Sequence, residues 1–184
     1  SARRRAFSPT AANSLRMRIS VIHSNRAART AGAFSKLNVN FSREHNLTDQ
    51  TTAYLQAGAQ WANRNLDSSE KLYLGGASGV RAYPSSEGGG SLGQMVNVEL
   101  RWQLPEAMSL VGFYDYGRVT QNVSNSFAGA PVLNSFALKG TGVSLNWRHS
   151  GGLALQATYA RRIGQNPNAI TTDVNRGADQ DGTL

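Results

Sequence analysis

Val96-Asn97-Val98-Glu99-Leu100-Arg101-Trp102-Gln103 decides the fold. Every second residue is apolar, and the residues between them carry amides, a carboxylate and a guanidinium. Successive side chains of a strand point to opposite faces, so this run predicts a strand with one apolar and one polar face. The pattern recurs on both sides of it. Upstream, Leu15, Met17, Ile19 and Val21 alternate with Arg16, Arg18 and Ser20 between Ser14 and His23. Leu37, Val39 and Phe41 alternate with Lys36, Asn38, Asn40 and Ser42 between Phe34 and Arg43. Ala53, Leu55, Ala57, Ala59 and Trp61 alternate with Tyr54, Gln56, Gly58 and Gln60 between Thr52 and Trp61.

Downstream the alternation blurs between Leu110 and Gly117, where Leu110, Tyr114 and Tyr116 share one face and Phe113, Asp115 and Gly117 the other. It sharpens again in Val143, Leu145 and Trp147 against Gly142, Ser144, Asn146 and Arg148. Leu153, Leu155, Ala157 and Tyr159 against Gln156, Thr158 and Arg162 complete seven strands. Their length suits a tilted bilayer-crossing strand of roughly 9–11 residues better than the roughly 5–6 of a soluble sheet.

The two faces agree with a membrane wall. On the apolar face, Phe41, Trp61, Trp102, Trp147 and Tyr159 are expected near strand ends, as in an interfacial aromatic girdle. The other face is polar and mainly basic: Arg16, Arg18, Lys36, Arg101, Lys139, Arg148 and Arg162. A packed interior cannot hold that many cations, whereas a water-filled lumen can. Connections alternate in length. Glu44–Gln50, Leu104–Met108 and Ser150–Gly152 are short, while Ser24–Gly32, Arg64–Gln94, Val119–Ser135 and the run from Gly164 are long and polar. Short periplasmic turns and long outer loops produce that asymmetry. The predicted class is all-β, an antiparallel transmembrane β-barrel. Residues 1–13 read as a basic lead-in, 14–163 as barrel with a loop over 65–94, and 164–184 as a polar outer loop.

Composition excludes other classes. The 184 residues carry 19 Lys and Arg against 11 Asp and Glu, a net charge of +8, yet only 16% are charged and 40% hydrophobic. That balance argues against disorder. No apolar run nears the roughly 20 residues of a spanning helix. The absence of cysteine removes disulfide scaffolds, zinc–thiolate sites and thiol chemistry. Ser1-Ala2-Arg3-Arg4-Arg5 has no apolar stretch behind it and is not a signal peptide, so the chain reads as an internal fragment.

The long loop contains Leu72-Tyr73-Leu74-Gly75-Gly76-Ala77-Ser78-Gly79-Val80-Arg81-Ala82-Tyr83-Pro84. It resembles the Leu-Gly-Gly…Val-Arg-Gly-Tyr loop of the two-partner secretion transporters, the haemolysin-activator ShlB/FhaC/HecB family within the superfamily of BamA-type barrels. Glu99-Leu100-Arg101-Trp102 is similar to the strand after that loop, Phe113-Tyr114-Asp115-Tyr116-Gly117 to the next strand's Phe-x-Asp-x-Gly, and Gly140-Thr141-Gly142-Val143 to a glycine pair one strand further on. Ala82 stands where the family has glycine. The resemblance covers at least Phe34 to Gly164.

The resemblance implies that these strands are the ninth to fifteenth of sixteen, with the amino-terminal barrel half, the periplasmic POTRA domains and the last strand outside the chain. It also implies that the loop folds into the lumen and that Arg81 at its tip meets Asp115. Alternation independently puts Asp115 on the polar face. Val80, Tyr83, Gly75, Gly76, Glu99, Phe113 and Gly117 complete the expected latch. Gly75 and Gly76 are expected to turn the backbone, Gly112 and Gly117 to clear space on the wall, and Glu99 to share the arginine.

By the same resemblance, the full protein carries an unfolded haemolysin- or adhesin-type exoprotein across the Gram-negative outer membrane, with membrane lipid around it, no cofactor, no catalytic residue and no nucleic acid. An assembly factor of the BamA or TamA type and a passive pore remain as alternatives, and a soluble all-β binding module is the outside one. Other candidates read as ordinary sequence. His23, His45 and His149 lack metal-ligand spacing. Glu87-Gly88-Gly89-Gly90-Ser91-Leu92-Gly93 lacks the lysine of a phosphate loop. Gly76-Ala77-Ser78-Gly79 is not a nucleophile elbow. Asn46-Leu47-Thr48 and Asn122-Val123-Ser124 match a glycosylation pattern that a bacterial barrel does not use. The Arg3–Arg5 run with Arg16 and Arg18 lacks the aromatic platform of a nucleic-acid site.

Overall fold

Seven long strands hydrogen-bond in chain order into one antiparallel meander in the computed structural model, which describes residues 14–24, 33–148 and 151–167. The basic lead-in, the connection 25–32, His149 and the run from 168 lie outside the described residues. The strands are β1 (Ser14–Ser24), β2 (Phe34–Asn46), β3 (Thr51–Ala62), β4 (Leu72–Tyr73), β5 (Gly89–Gly90), β6 (Leu92–Leu104), β7 (Met108–Thr120), β8 (Ser135–Arg148) and β9 (Ala154–Arg162). The large sheet has the order β1-β2-β3-β6-β7-β8-β9, and β4 and β5 form a separate small hairpin inside the long loop. The sheet is an open arc, bounded by β1 and β9.

Its outer face is the apolar one. Leu15, Met17, Ile19, Val21, Val98, Leu100, Val143 and Leu155 are all exposed there, the inversion expected of a wall that faces hydrocarbon rather than water. Trp61 closes the long-loop end of β3, and Trp102 and Trp147 the short-turn ends of β6 and β8. Phe41, by contrast, sits mid-strand opposite Met17 and Ala57, inside the apolar band rather than at its rim.

The strands are longer than alternation alone suggests. β8 starts at Ser135, well before Gly142. In that early half Phe136 and Leu138 point inward and are buried, at 6% and 1% exposure. Counted from Val143, Lys139 therefore belongs to the outer face, where it pairs with Tyr116 and is exposed. This corrects the luminal placement of Lys139. Assigning a basic residue to the polar face fails where the inner face is itself apolar.

That apolar inner patch exists because the loop covers it. Leu74, Val80 and Tyr83 of the loop pack on Val119, Phe136 and Leu138 of the wall, with Ala82 against them. The described residues thus have one hydrophobic core cluster, and it lies between loop and wall.

Candidate functional site

The loop leaves β3 and is tied down at its root. Asp67 caps the short 3-10 turn Ser68–Glu70 by accepting from the Ser69 amide at 3.1 Å. That bond and the Ser69 hydroxyl hold the Asp67 carboxyl below its ordinary pKa. Lys36 of β2 reaches the Glu70 carboxylate at 2.6 Å and donates to the Glu70 carbonyl at 3.1 Å. Ser91, fully buried, accepts from the Leu66 amide at 3.0 Å and donates to the Gln121 carbonyl at 3.0 Å. Gln60 donates to the carbonyls of both Ser91 and Glu70 at 3.3 Å.

Between these anchors the tip folds on itself. Val80 donates its amide to the Leu74 carbonyl at 2.7 Å, and Gly76 to the Tyr83 carbonyl at 2.9 Å. Gly76 adopts φ +99°, which a side chain would resist, and Gly75 lies hard against the Pro84 carbonyl with no room for a Cβ. Gly76 thus turns the backbone, while Gly75 serves close approach rather than a left-handed turn.

The tip presents Arg81 to the middle of the wall. Its Nε and Nη2 donate to the two oxygens of Asp115 at 2.9 and 2.8 Å, a bidentate pair, and its backbone amide adds a third bond at 3.0 Å. Asn97 supplies a fourth donor to Asp115 at 2.8 Å and ties the Gly79 carbonyl at 2.8 Å. Asp115 is wholly buried, and four donors match the roughly four acceptor positions of an ionised carboxylate. The guanidinium lies 3.6 Å above the Phe113 ring.

Nη1 of Arg81 donates to Glu99 at 2.7 Å, and Glu99 accepts from Arg101 at 2.7 and 2.8 Å through its other oxygen. Arg101 stacks 4.1 Å over Tyr54 and reaches Glu44 of β2 at 3.5 Å. Charges therefore alternate from the loop to β2. Burial disfavours the Arg81 cation, but Asp115 and Glu99 more than compensate and raise its pKa.

All nine residues of the sequence-derived latch meet here or beside it, and the wall is shaped to receive them. A Cβ on Gly117 would come within 2.7 Å of Leu74, and one on Gly140 within 2.9 Å of the Ala82 methyl. Gly140 thus makes room for the residue by which this loop departs from its family pattern. Gly112 clears nothing, since a Cβ there meets no atom within 4 Å. It shares the outer face with Leu110 and Tyr114, so the space-clearing role belongs to Gly117 and Gly140.

The basic face divides by partner. Lys36 holds the loop root, Arg101 joins the charge ladder, and Arg162 of β9 lies 4.8 Å over the Tyr83 ring and donates to the Ala82 carbonyl at 3.2 Å. Arg16 and Arg18 lie on the inner face of β1 by register with Ser42 and Asn40. Beneath the tip, on the short-turn side, opens a polar trough of about 1240 Å³ that Arg81, Glu99, Arg101, Asn146 and Arg148 help to line. Sequence reasoning did not single out Asn97, Ser91 or Glu44. Alternation put Asn97 beside Asp115's strand on the polar face, but only register makes the two direct partners.

The sequence profile of the haemolysin secretion/activation proteins ShlB, FhaC and HecB matches residues 7–149. The heme/hemopexin transporter protein HuxB of Haemophilus influenzae strain Rd is 30% identical over 139 residues, 73% of this chain and 25% of HuxB. HuxB of strain 86-028NP is 28% identical over 137 residues, 72% of this chain and 24% of its own length. The chain thus spans about a quarter of the length of the curated relatives it matches. No solved structure matches it.

Proposed function

The chain belongs to the haemolysin secretion/activation family of ShlB, FhaC and HecB, and from that premise we propose that its parent protein moves a large exoprotein of haemolysin or adhesin type, unfolded, through a barrel lumen in the Gram-negative outer membrane. The observation that carries the reading is the inward loop. Its apolar side fills the outer half of the inner face, and Arg81 at its tip is held by Asp115 and Glu99 at mid-strand.

A chain arriving from the periplasmic side enters a polar trough whose roof is Arg81 and its partners. In this reading the docked loop closes its path through the complete barrel. Transport therefore requires the loop to shift, and the latch sets the cost. A buried ion pair that loses one partner is destabilised by roughly 3–5 kcal/mol, because the other charge is left uncompensated. No covalent chemistry is involved. Translocation is driven by folding of the cargo outside, and the loop residues gate the path.

Secretion of the partner by the full-length parent tests this, with Arg81→Ala, Asp115→Ala and the exchanged pair Arg81→Asp/Asp115→Arg compared. We expect loss of secretion in each single variant and partial recovery in the exchange. Normal secretion in all three, with channel conductance unchanged, would reduce the latch to a feature of the fold and leave a passive pore as the better account.

A further inference from the structure

The hold on the inward loop does not end at β8. Ile163 prolongs the β8–β9 ladder by one bond, donating its amide to the Lys139 carbonyl at 3.0 Å. Gly164 then takes φ +76°, a left-handed turn, in open space where a Cβ would meet nothing within 4 Å. The residues that follow run exposed except one. Asn166 is 5% exposed, between Gln165 and Pro167, which are both open to solvent. A polar side chain is buried at a cost unless it is hydrogen-bonded, and this one is. Its Nδ2 donates to Oε1 of Glu87 at 2.7 Å, across 79 residues of chain.

Glu87 is fully buried and sits at the neck of the loop, where the outgoing and return limbs meet. Its backbone carbonyl accepts from the Leu74 and Gly75 amides, each at 3.2 Å. The same neck rests on the wall, since a Cβ on Gly88 would come within 3.2 Å of Leu138, and one on Gly117 within 2.7 Å of Leu74. The neck is therefore held both by the wall and by the segment that follows β9. Nearer the tip, Arg162 at the end of β9 donates to the Ala82 carbonyl at 3.2 Å and lies 4.8 Å over the Tyr83 ring. The tip latch draws on β6 and β7, through Asn97, Glu99 and Asp115, whereas these contacts draw on β9 and the residues beyond it.

We propose that Arg162 and Asn166 form a second latch, a clasp on the neck from the outer rim, so that the loop leaves the wall only when both latches open. The proposal rests on the transport reading and on the orientation in which the long loops face outward. It adds to the gate two residues that lie outside the loop and outside the motif that marks it. Removing Asn166 leaves the buried Glu87 carboxyl short of a donor, and a penalty of that kind shifts a docking equilibrium by about tenfold.

The test uses the full-length protein in detergent, with hydrogen exchange followed at the Leu74 and Gly75 amides. Asn166→Ala should speed both by about tenfold. Asn166→Asp, which sets two carboxyls against each other, should speed them more. Gly164→Val alters no contact of its own but resists the left-handed turn, so it should act in the same direction. Pairing Asn166→Asp with Glu87→Gln exchanges donor and acceptor and should restore part of the protection. Gln165→Ala, on the exposed neighbour, should leave exchange unchanged. In planar bilayers Asn166→Asp should raise the frequency of channel opening by about tenfold or more, because both latches must open.

Heat-resistant electrophoretic mobility of each variant confirms an assembled barrel. Neck exchange unchanged by Asn166→Asp overturns the proposal, as does an equal acceleration in Gln165→Ala. A faster neck with unchanged channel opening also overturns it, leaving the contact a plain anchor. A parent that assembles but secretes no exoprotein would instead refute the transport reading, on which exchange at the neck does not depend.

Discussion

The pair β2–β3 and the pair β7–β8 are parts of one sheet, yet they obey different rules. On β2 and β3 the outward residues are apolar and the inward ones polar, so Val39, Phe41 and Leu55 face out while Asn40, Gln56 and Gln60 face in. On the outer halves of β7 and β8 the polarity is reversed. Val119, Phe136 and Leu138 face in and are buried, while Tyr116, Arg118 and Lys139 face out. The inner faces touch different things: the folded loop packs broadly on β7 and β8, whereas on β2 and β3, among the described residues, only the loop root is held, by Lys36 and Gln60, and the residues beyond them face the open lumen side. A barrel wall with polar residues inside is a conduit, and one with apolar residues inside is a seat for something that must dock.

Substitutions that act on the seat should far exceed those on the conduit. The largest effect is expected from Asp115→Ala, which leaves Arg81 with Glu99 alone and removes the acceptor for four donors. Loop docking should weaken by about 3–5 kcal/mol, read as faster hydrogen exchange at the Val80 and Arg81 amides of the full-length protein. Leu74→Ala removes a fully buried side chain from the loop–wall cluster, and a cost of about 2–4 kcal/mol should appear in the same amides.

Gly140→Val places a side chain where the Ala82 methyl already sits. It should cost about 1–3 kcal/mol of docking, and Ala82→Gly should restore part of it. Asn40→Ala on the conduit side should change docking by less than about 0.5 kcal/mol, and a larger value would erase the distinction between the two arcs. The smallest effect concerns pH. Because Asp67 has a lowered folded pKa, its cap is fully formed above the unfolded value and is lost only as pH falls through the folded one. Exchange of the Ser69 amide should therefore quicken at acid pH below 3.8, and Asp67→Asn should abolish that dependence.

The same contrast explains what could be read in the sequence. The conduit strands announce themselves, because a wall between lipid and water forces strict alternation on each residue. The latch was legible through family pattern, and Asp115 through its parity. The stretch Ser135–Thr141 was not legible as strand, since Phe136 and Leu138 alternate in the wrong sense for a wet lumen. Lys139 was misplaced for that reason, and Gly112 because parity was not applied to it. The blur between Leu110 and Gly117 was itself the signal, marking where a second layer, the loop, packs on the wall. Asn97, Ser91 and Glu44 act through partners 18 to 57 residues away, and only the register and the folded loop bring those together.

The central claim, that the loop lies inside with its tip on the wall, is open to a direct covalent test. The chain has no cysteine, so after replacement of any in the rest of the full-length protein, an introduced pair reports without ambiguity. Ala82→Cys with Gly140→Cys brings the Cβ positions to 2.9 Å, within about 1 Å of disulfide spacing. Oxidant is expected to cross-link this pair in intact outer membranes, whereas Ala82→Cys with Gly112→Cys, separated by the wall, stays reduced. Failure of the first pair to close, or equal closure of both, would contradict it.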